Sequence, residues 1–254
     1  MKYEAIENLL QSLPGEIGFS YFCPATGDRY AMQKDLPLVA ASVIKLPIMV
    51  EAFRQRENGQ INWQEEVTIR PEDKLPSCGA LTYLHDGIRV TIGDLVTLMI
   101  ILSDNTATNL LIDKLGMENI NATCQALQLK GTKLNRKLFD AAQAAKGIEN
   151  YVTAGDMCRL LSMLLQGEVV SPEASKEMLK ILGNQRLNGK IPFYLHSRGI
   201  PVAHKTGEDD GITHDVGIIF TQNPQILCFL SNHTDVPAAE RCMQNIAALL
   251  VSAQ

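Results

Sequence analysis

The spacing of hydrophobic residues changes twice along the chain. Ile6, Leu9, Leu10 and Leu13 recur at helical intervals and predict an amphipathic N-terminal helix. Ile17-Gly18-Phe19-Ser20-Tyr21-Phe22 then alternates as a strand does. Pro24-Ala25-Thr26-Gly27-Asp28 supplies turn chemistry, and a second strand near Arg29 to Met32 completes a hairpin. From roughly 42 to 185 the pattern is mainly helical. Thr91-Ile92-Gly93-Asp94 has the form of a capping box before an apolar stripe of Leu95, Leu98, Met99 and Leu102. Further helices are predicted from near Thr106 to a stop at Gly116, and from Ala154 to Leu165.

The last part of the chain returns to strands. Val202-Ala203-His204-Lys205-Thr206 reads as short and extended, and Glu208-Asp209-Asp210-Gly211 as an exposed turn. Val216 to Phe220 and Ile226 to Leu230 form a hairpin around Gln222-Asn223-Pro224, and a helix closes the chain from about Ala238 to Val251. Strands at both ends with helices between them predict an α/β fold. One sheet draws on residues 17–33 and 200–231, with a helical lobe inserted. The expected organisation is one domain, 1–254, of two lobes: a sheet lobe of 1–44 plus 186–254 and a helical lobe of 45–185.

Composition narrows the function classes. The 254 residues are 46% hydrophobic and 20% charged, ordinary for a globular chain with a full core. A net charge of −5 gives no footprint for nucleic acid, and no apolar run is long enough to span a bilayer. The first ten residues carry acids where a signal peptide has a basic region. The protein is therefore expected either in the cytoplasm or with its leader removed. Six cysteines without a C-x-x-C pair read as small buried hydrophobes, mildly favouring a reducing compartment. The five histidines form no metal-ligand pattern, and no metal or cofactor is expected. His214 and Asp215 are strand neighbours that point to opposite faces, so they cannot pair with each other in a histidine mechanism.

Three short motifs carry chemistry. In Ser42-Val43-Ile44-Lys45 a hydroxyl and an amine share one face at a helix start. A serine needs a base to become nucleophilic, and a lysine whose pKa is lowered by burial or nearby cations can be that base. Ser103-Asp104-Asn105 sits at a predicted helix–loop junction, and Lys205-Thr206-Gly207 on a predicted strand. Each alone is commonplace, a cap or a turn. The three occur once each, in this order, with 61 residues from Ser42 to Ser103 and 102 from Ser103 to Lys205.

This triple resembles the signature of class A β-lactamases and penicillin-binding proteins. The resemblance extends over nearly the whole chain, through the helix from Leu98 to Asn109 and the strand pair around His204 to Gly207 and Thr213 to Gly217. It implies the β-lactamase-like (D,D-peptidase-like) fold, an antiparallel sheet flanked by helices, and acyl-serine chemistry on a small-molecule substrate by a monomer. The implied roles are these. Ser42 attacks the acyl carbon, Lys45 activates it directly or through water, and Ser103 relays a proton to the leaving nitrogen. Asn105 contacts the substrate's side-chain amide. Lys205 supplies positive charge, and Thr206 helps to hold a substrate carboxylate. The backbone N–H groups of Ser42 and Glu208, the latter beside Gly207, form the oxyanion hole. Asp215 is a buried structural acid.

The resemblance breaks in one loop. Class A enzymes carry a deacylating glutamate two residues after an arginine. Here Leu134-Asn135-Arg136-Lys137-Leu138 places Leu138 there, and Ala142 stands where an asparagine is expected. Asp140 is the substitute base nearest at hand, and Glu149 is expected at the closing end of the loop near Arg136. Removing a general base costs about 10²–10⁴ in the step it serves. Three readings follow: a β-lactam hydrolase, a D,D-peptidase or esterase with the same chemistry, and a slowly deacylating penicillin-binding sensor. Glu208, Asp209 and Asp210 beside the strand should also weaken binding of anionic substrates, with Arg198 the nearest arginine in sequence.

Overall fold

The computed structural model describes residues 2–252, so Met1 and residues 253–254 of the expected span lie outside it. The elements follow in order: α1 (Lys2–Gln11), β1 (Glu16–Cys23), β2 (Asp28–Met32), β3 (Leu38–Val39), a 3-10 turn (Ala41–Ile44) and α2 (Lys45–Glu57). Next come β4 (Glu66–Thr68), β5 (Arg89–Thr91), α3 (Ile92–Ile101), α4 (Asn105–Leu115), α5 (Met117–Ala126), α6 (Ala141–Ala144) and β6 (Tyr151–Val152). The chain ends with α7 (Ala154–Gln166), α8 (Pro172–Gly183), α9 (Phe193–His196), β7 (Val202–Asp209), β8 (Ile212–Ile219), β9 (Gln225–Asn232) and α10 (Val236–Ser252).

The hairpin β1–β2 and the strands β7 to β9 form one five-stranded antiparallel sheet in the order β2-β1-β9-β8-β7. This is the expected sheet, built from the two ends of the chain. β8 and β9 are buried at every position because helices cover both faces, so that even the polar Thr213, His214 and Asp215 of β8 lie in the interior. β2, at an edge, keeps an alternating pattern. On one face Ile17, Phe19, Leu227 and Phe229 pack against Ile6 and Leu10 of α1 and Met243 and Ile246 of α10. On the other, Ala203, Val216, Cys228 and Leu230 join the core of the inserted helices.

The capping box forms as expected: Asp94 N–H donates to Thr91 Oγ1 and Thr91 N–H donates back to Asp94. Gly116 ends α4 with φ +84°. Two expectations need correction. The residues Glu208 and Asp209 are not in a turn; β7 runs through Asp209, in register with Ile212, and only Asp210 and Gly211 turn. β-Pairing across the hairpin overrides the turn propensity of the acids. Ser42 lies not in the α-helix but in the 3-10 turn before it.

Candidate active site

Three segments from distant parts of the chain meet at a cleft of about 590 Å³. The first is the 3-10 turn that carries Ser42. It has no side-chain cap, so the Ser42 hydroxyl is not consumed as a helix cap. The turn packs against β7, and Gly207 makes this possible. A Cβ at Gly207 would lie 3.2 Å from Val43 Cγ2, 3.3 Å from Ala41 Cβ and 3.0 Å from His214 Cδ2, so a side chain there would crowd the turn against the strand and force these neighbours to give by a few tenths of an ångström.

The second segment is Ser103-Asp104-Asn105. Asp104 caps α4 by accepting from Ala107 N–H at 2.9 Å, so the bland role and the site coexist in one motif. Its other oxygen accepts from Ala80 N–H at 2.7 Å and Leu81 N–H at 2.9 Å. Asn105 adds a bond from its Nδ2 to Pro76 O at 3.2 Å, and Thr106 Oγ1 accepts from Leu75 N–H at 2.9 Å. The loop before α3 is thereby tied to the motif and forms the cleft wall at Ser77 and Cys78.

The third segment is β7. Lys205 is fully buried, and its amine donates to Ser103 Oγ at 3.1 Å and Thr206 O at 2.8 Å. Lys45, also fully buried, reaches Ser103 O at 2.7 Å, Ser103 Oγ at 3.0 Å and Asn105 Oδ1 at 2.9 Å. Two amines thus flank one hydroxyl. Burial pushes the Lys45 pKa well below the usual lysine range, and the charge on Lys205 pushes it further. Burial likewise lowers Lys205, to about 7. Lys205 can therefore exchange a proton near neutrality, and burial favours the neutral amine of Lys45, the form that can accept one.

Ser42 and Lys45, expected to exchange a proton directly or through water, are not joined by a hydrogen bond. All the hydrogen bonds of the Lys45 amine run to Ser103 and Asn105. The shared helical face brings the two residues to one wall, but the buried amine turns toward the acceptors of Ser103 and Asn105. Asn105 in turn has both ends of its amide engaged, by Lys45 and by Pro76.

The loop opposite places Leu138, Phe139 and Asp140 on the cleft wall with Ser42, Asn105 and Glu208. Asn109 clamps Leu138 through both backbone groups, at 2.9 Å each. Asp140 caps the short α6 by accepting from Gln143 N–H at 3.1 Å. Arg136 pairs with Glu149 at 2.6 Å across the closing end of the loop. Ala41, Ser103 and Phe139 all border or underlie the cleft with left-handed φ values of +42°, +54° and +59°. Such strain costs about 1–3 kcal/mol per residue and concentrates at functional sites.

Other polar groups are structural. Asp215 is buried and bonds His204 Nδ1 at 2.8 Å and Ile191 N–H at 3.0 Å. Burial holds His214 near a pKa of about 4, and its ring bonds Val39 O and Ser231 N–H. Arg198 is exposed; the buried cation behind β7 is Lys190, which sequence reasoning missed. Asn188-Gly189-Lys190 has only the look of a polar loop, and nothing in it signals burial. Five of the six free cysteines are buried, while Cys78 is partly open on the cleft wall. Among the described residues no helix is long and apolar enough to cross a membrane.

A serine in a strained turn, beside two buried lysines that share a second serine, defines a serine acyl hydrolase. The chain belongs to the β-lactamase enzyme family, whose pattern it matches over residues 2–254. The β-lactamase VEB-1 of Pseudomonas aeruginosa is 25% identical over 240 residues, 87% of this chain and 78% of that protein. Among solved structures, a β-lactamase from Sphaerobacter thermophilus superposes with a TM-score of 0.91 at 31% identity, covering 99% of this chain and 96% of the other. The structure of PBP-A gives 0.89 at 28% identity, covering 99% and 95%. A leucine-to-glutamate variant of PBP-A, an acyl-enzyme complex with penicillin G, gives 0.88 at 27% identity over the same shares.

Proposed function

We propose that this protein opens a β-lactam amide by acylating Ser42, and that it releases the product slowly. Ser42 Oγ attacks the carbonyl carbon, and its proton passes to the neutral amine of Lys45, directly or through water. The C–N bond breaks, and the nitrogen takes the proton of the Ser103 hydroxyl, which Lys45 then replenishes. Lys205 lends positive charge, and the backbone N–H groups of Ser42 and Glu208 receive the oxyanion. Thr206 helps to hold a substrate carboxylate. The protein acts as a monomer, with the lobe of residues 1–44 plus 186–254 and the lobe of 45–185 on either side of the cleft.

One observation carries this reading: Lys45 and Lys205 both lie within hydrogen-bond distance of Ser103 Oγ, at 3.0 and 3.1 Å. A proton can cross this array without large motion. A related protein, the leucine-to-glutamate variant of PBP-A, is seen as an acyl-enzyme complex with penicillin G, which supports the acylation step. Leu138 supports slow release, since it offers no base to an attacking water, and Asp140 is the substitute only if it leaves its helix cap. Incubation with a fluorescent penicillin, followed over time on a denaturing gel, separates the outcomes. Label that appears and persists for many minutes is expected; label that never appears contradicts acylation, and label that vanishes within seconds contradicts slow release.

A further inference from the structure

Glu208 faces the cleft at the end of β7, directly after the Lys205-Thr206-Gly207 motif. Its carboxylate pairs with Lys190 at 3.0 Å. The Lys190 amine is only 3% exposed and has three other oxygen neighbours: Gly207 O at 3.2 Å, His214 O at 3.3 Å and Glu240 Oε1 at 3.7 Å. Glu240 sits on α10, away from the cleft lining, so Glu208 is the partner of Lys190 on the substrate side. A buried ammonium needs a counter-charge, and here the protein supplies two.

We infer that Glu208 is a specificity-determining residue that selects against acyl donors bearing a carboxylate next to the scissile amide, and favours donors that are uncharged there. This rests on the acyl-serine reading above. Glu208 occupies, with its own carboxylate, the cation and the space at the strand end that an anionic substrate needs. An incoming carboxylate must either displace Glu208 from Lys190 or lie beside it as a second like charge. Discrimination then comes from repulsion, with no new contact to the favoured donor.

The test compares benzylpenicillin with its neutral methyl ester. The acylation rate constant of Ser42 is read by intact-protein mass spectrometry, each divided by that donor's rate with hydroxide. The wild-type protein is expected to favour the ester by about tenfold or more, the scale of a like-charge contact at a partly exposed site. Glu208→Gln and Glu208→Ala are each expected to raise the penicillin-to-ester ratio by about tenfold. Adding Lys190→Met should remove most of that gain. A ratio that stays within twofold of wild type or falls in both Glu208 variants overturns the inference and leaves the acyl-serine reading standing. If neither donor labels Ser42 in the folded protein, the acyl-serine reading fails and the inference falls with it.

Discussion

The amine of Lys45 lies 3.0 Å from the hydroxyl of Ser103, although 58 residues separate them. Ser103 can reach it because its backbone adopts φ +54° at the break between α3 and α4. The strain at Ser103 is thus tied to the proton path. Ser103→Ala should keep the fold but remove the shared hydroxyl. Acylation by penicillin is expected to fall by about 10²–10⁴, the usual cost of a lost acid–base group. A fall of less than threefold in a stopped-flow or mass-spectrometric assay would exclude Ser103 from the path.

Lys205 makes a prediction about stability and pH. Its pKa is about 7 in the folded chain against an ordinary 10.5. Between these values the unfolded chain holds the proton and the folded chain does not, so this group favours folding more as pH rises. Below about pH 7 the charged amine is buried and the penalty is complete, on the order of a few kcal/mol. Lys205→Met should therefore be more stable than wild type near pH 6, with the advantage shrinking toward pH 10. Urea unfolding at several pH values checks this. An advantage that grows with pH reverses the sign and contradicts the account.

Asp104 holds three backbone N–H groups, those of Ala80, Leu81 and Ala107. Removing it takes away a helix cap and leaves two loop donors unpaired. Asp104→Ala is expected to destabilise the protein by about 3 kcal/mol or more, seen as a lower urea midpoint. A change below about 0.5 kcal/mol, the range of an ordinary surface substitution, would show that the loop carries itself.

The sequence made the sheet and most of the long helices legible because their signals are local. The alternation in Ile17–Phe22 and the box at Thr91 and Asp94 name their own elements. The three motifs likewise announced their residues, since order and spacing are properties of the chain. The Ser42 turn and the true end of β7 were not legible. Whether Glu208 pairs in a strand or hangs in a turn depends on Thr213 across the hairpin. Lys190 was missed for a similar reason. Its burial comes from Gly207, His214, Glu208 and Glu240, none of them its chain neighbours.

Leu138 faces the cleft with its backbone clamped by Asn109. The loop is therefore able to present a different side chain at the same point. Leu138→Glu should speed loss of the penicillin adduct by about 10²-fold or more, with acylation changed far less. Asp140→Ala should leave the wild-type decay unaltered if the aspartate serves only as the cap of α6. Decay that slows tenfold in Asp140→Ala would make Asp140 the working base.

The central claim is that Ser42 is the acylated residue. Intact-protein mass spectrometry after incubation with benzylpenicillin tests it most directly. Opening the ring adds the whole reagent with no leaving group lost, so wild type should gain one penicillin mass. Peptide mapping should place that mass on Ser42, and Ser42→Ala should gain nothing. An adduct of the same mass in Ser42→Ala, or its location on any other residue, would contradict the account.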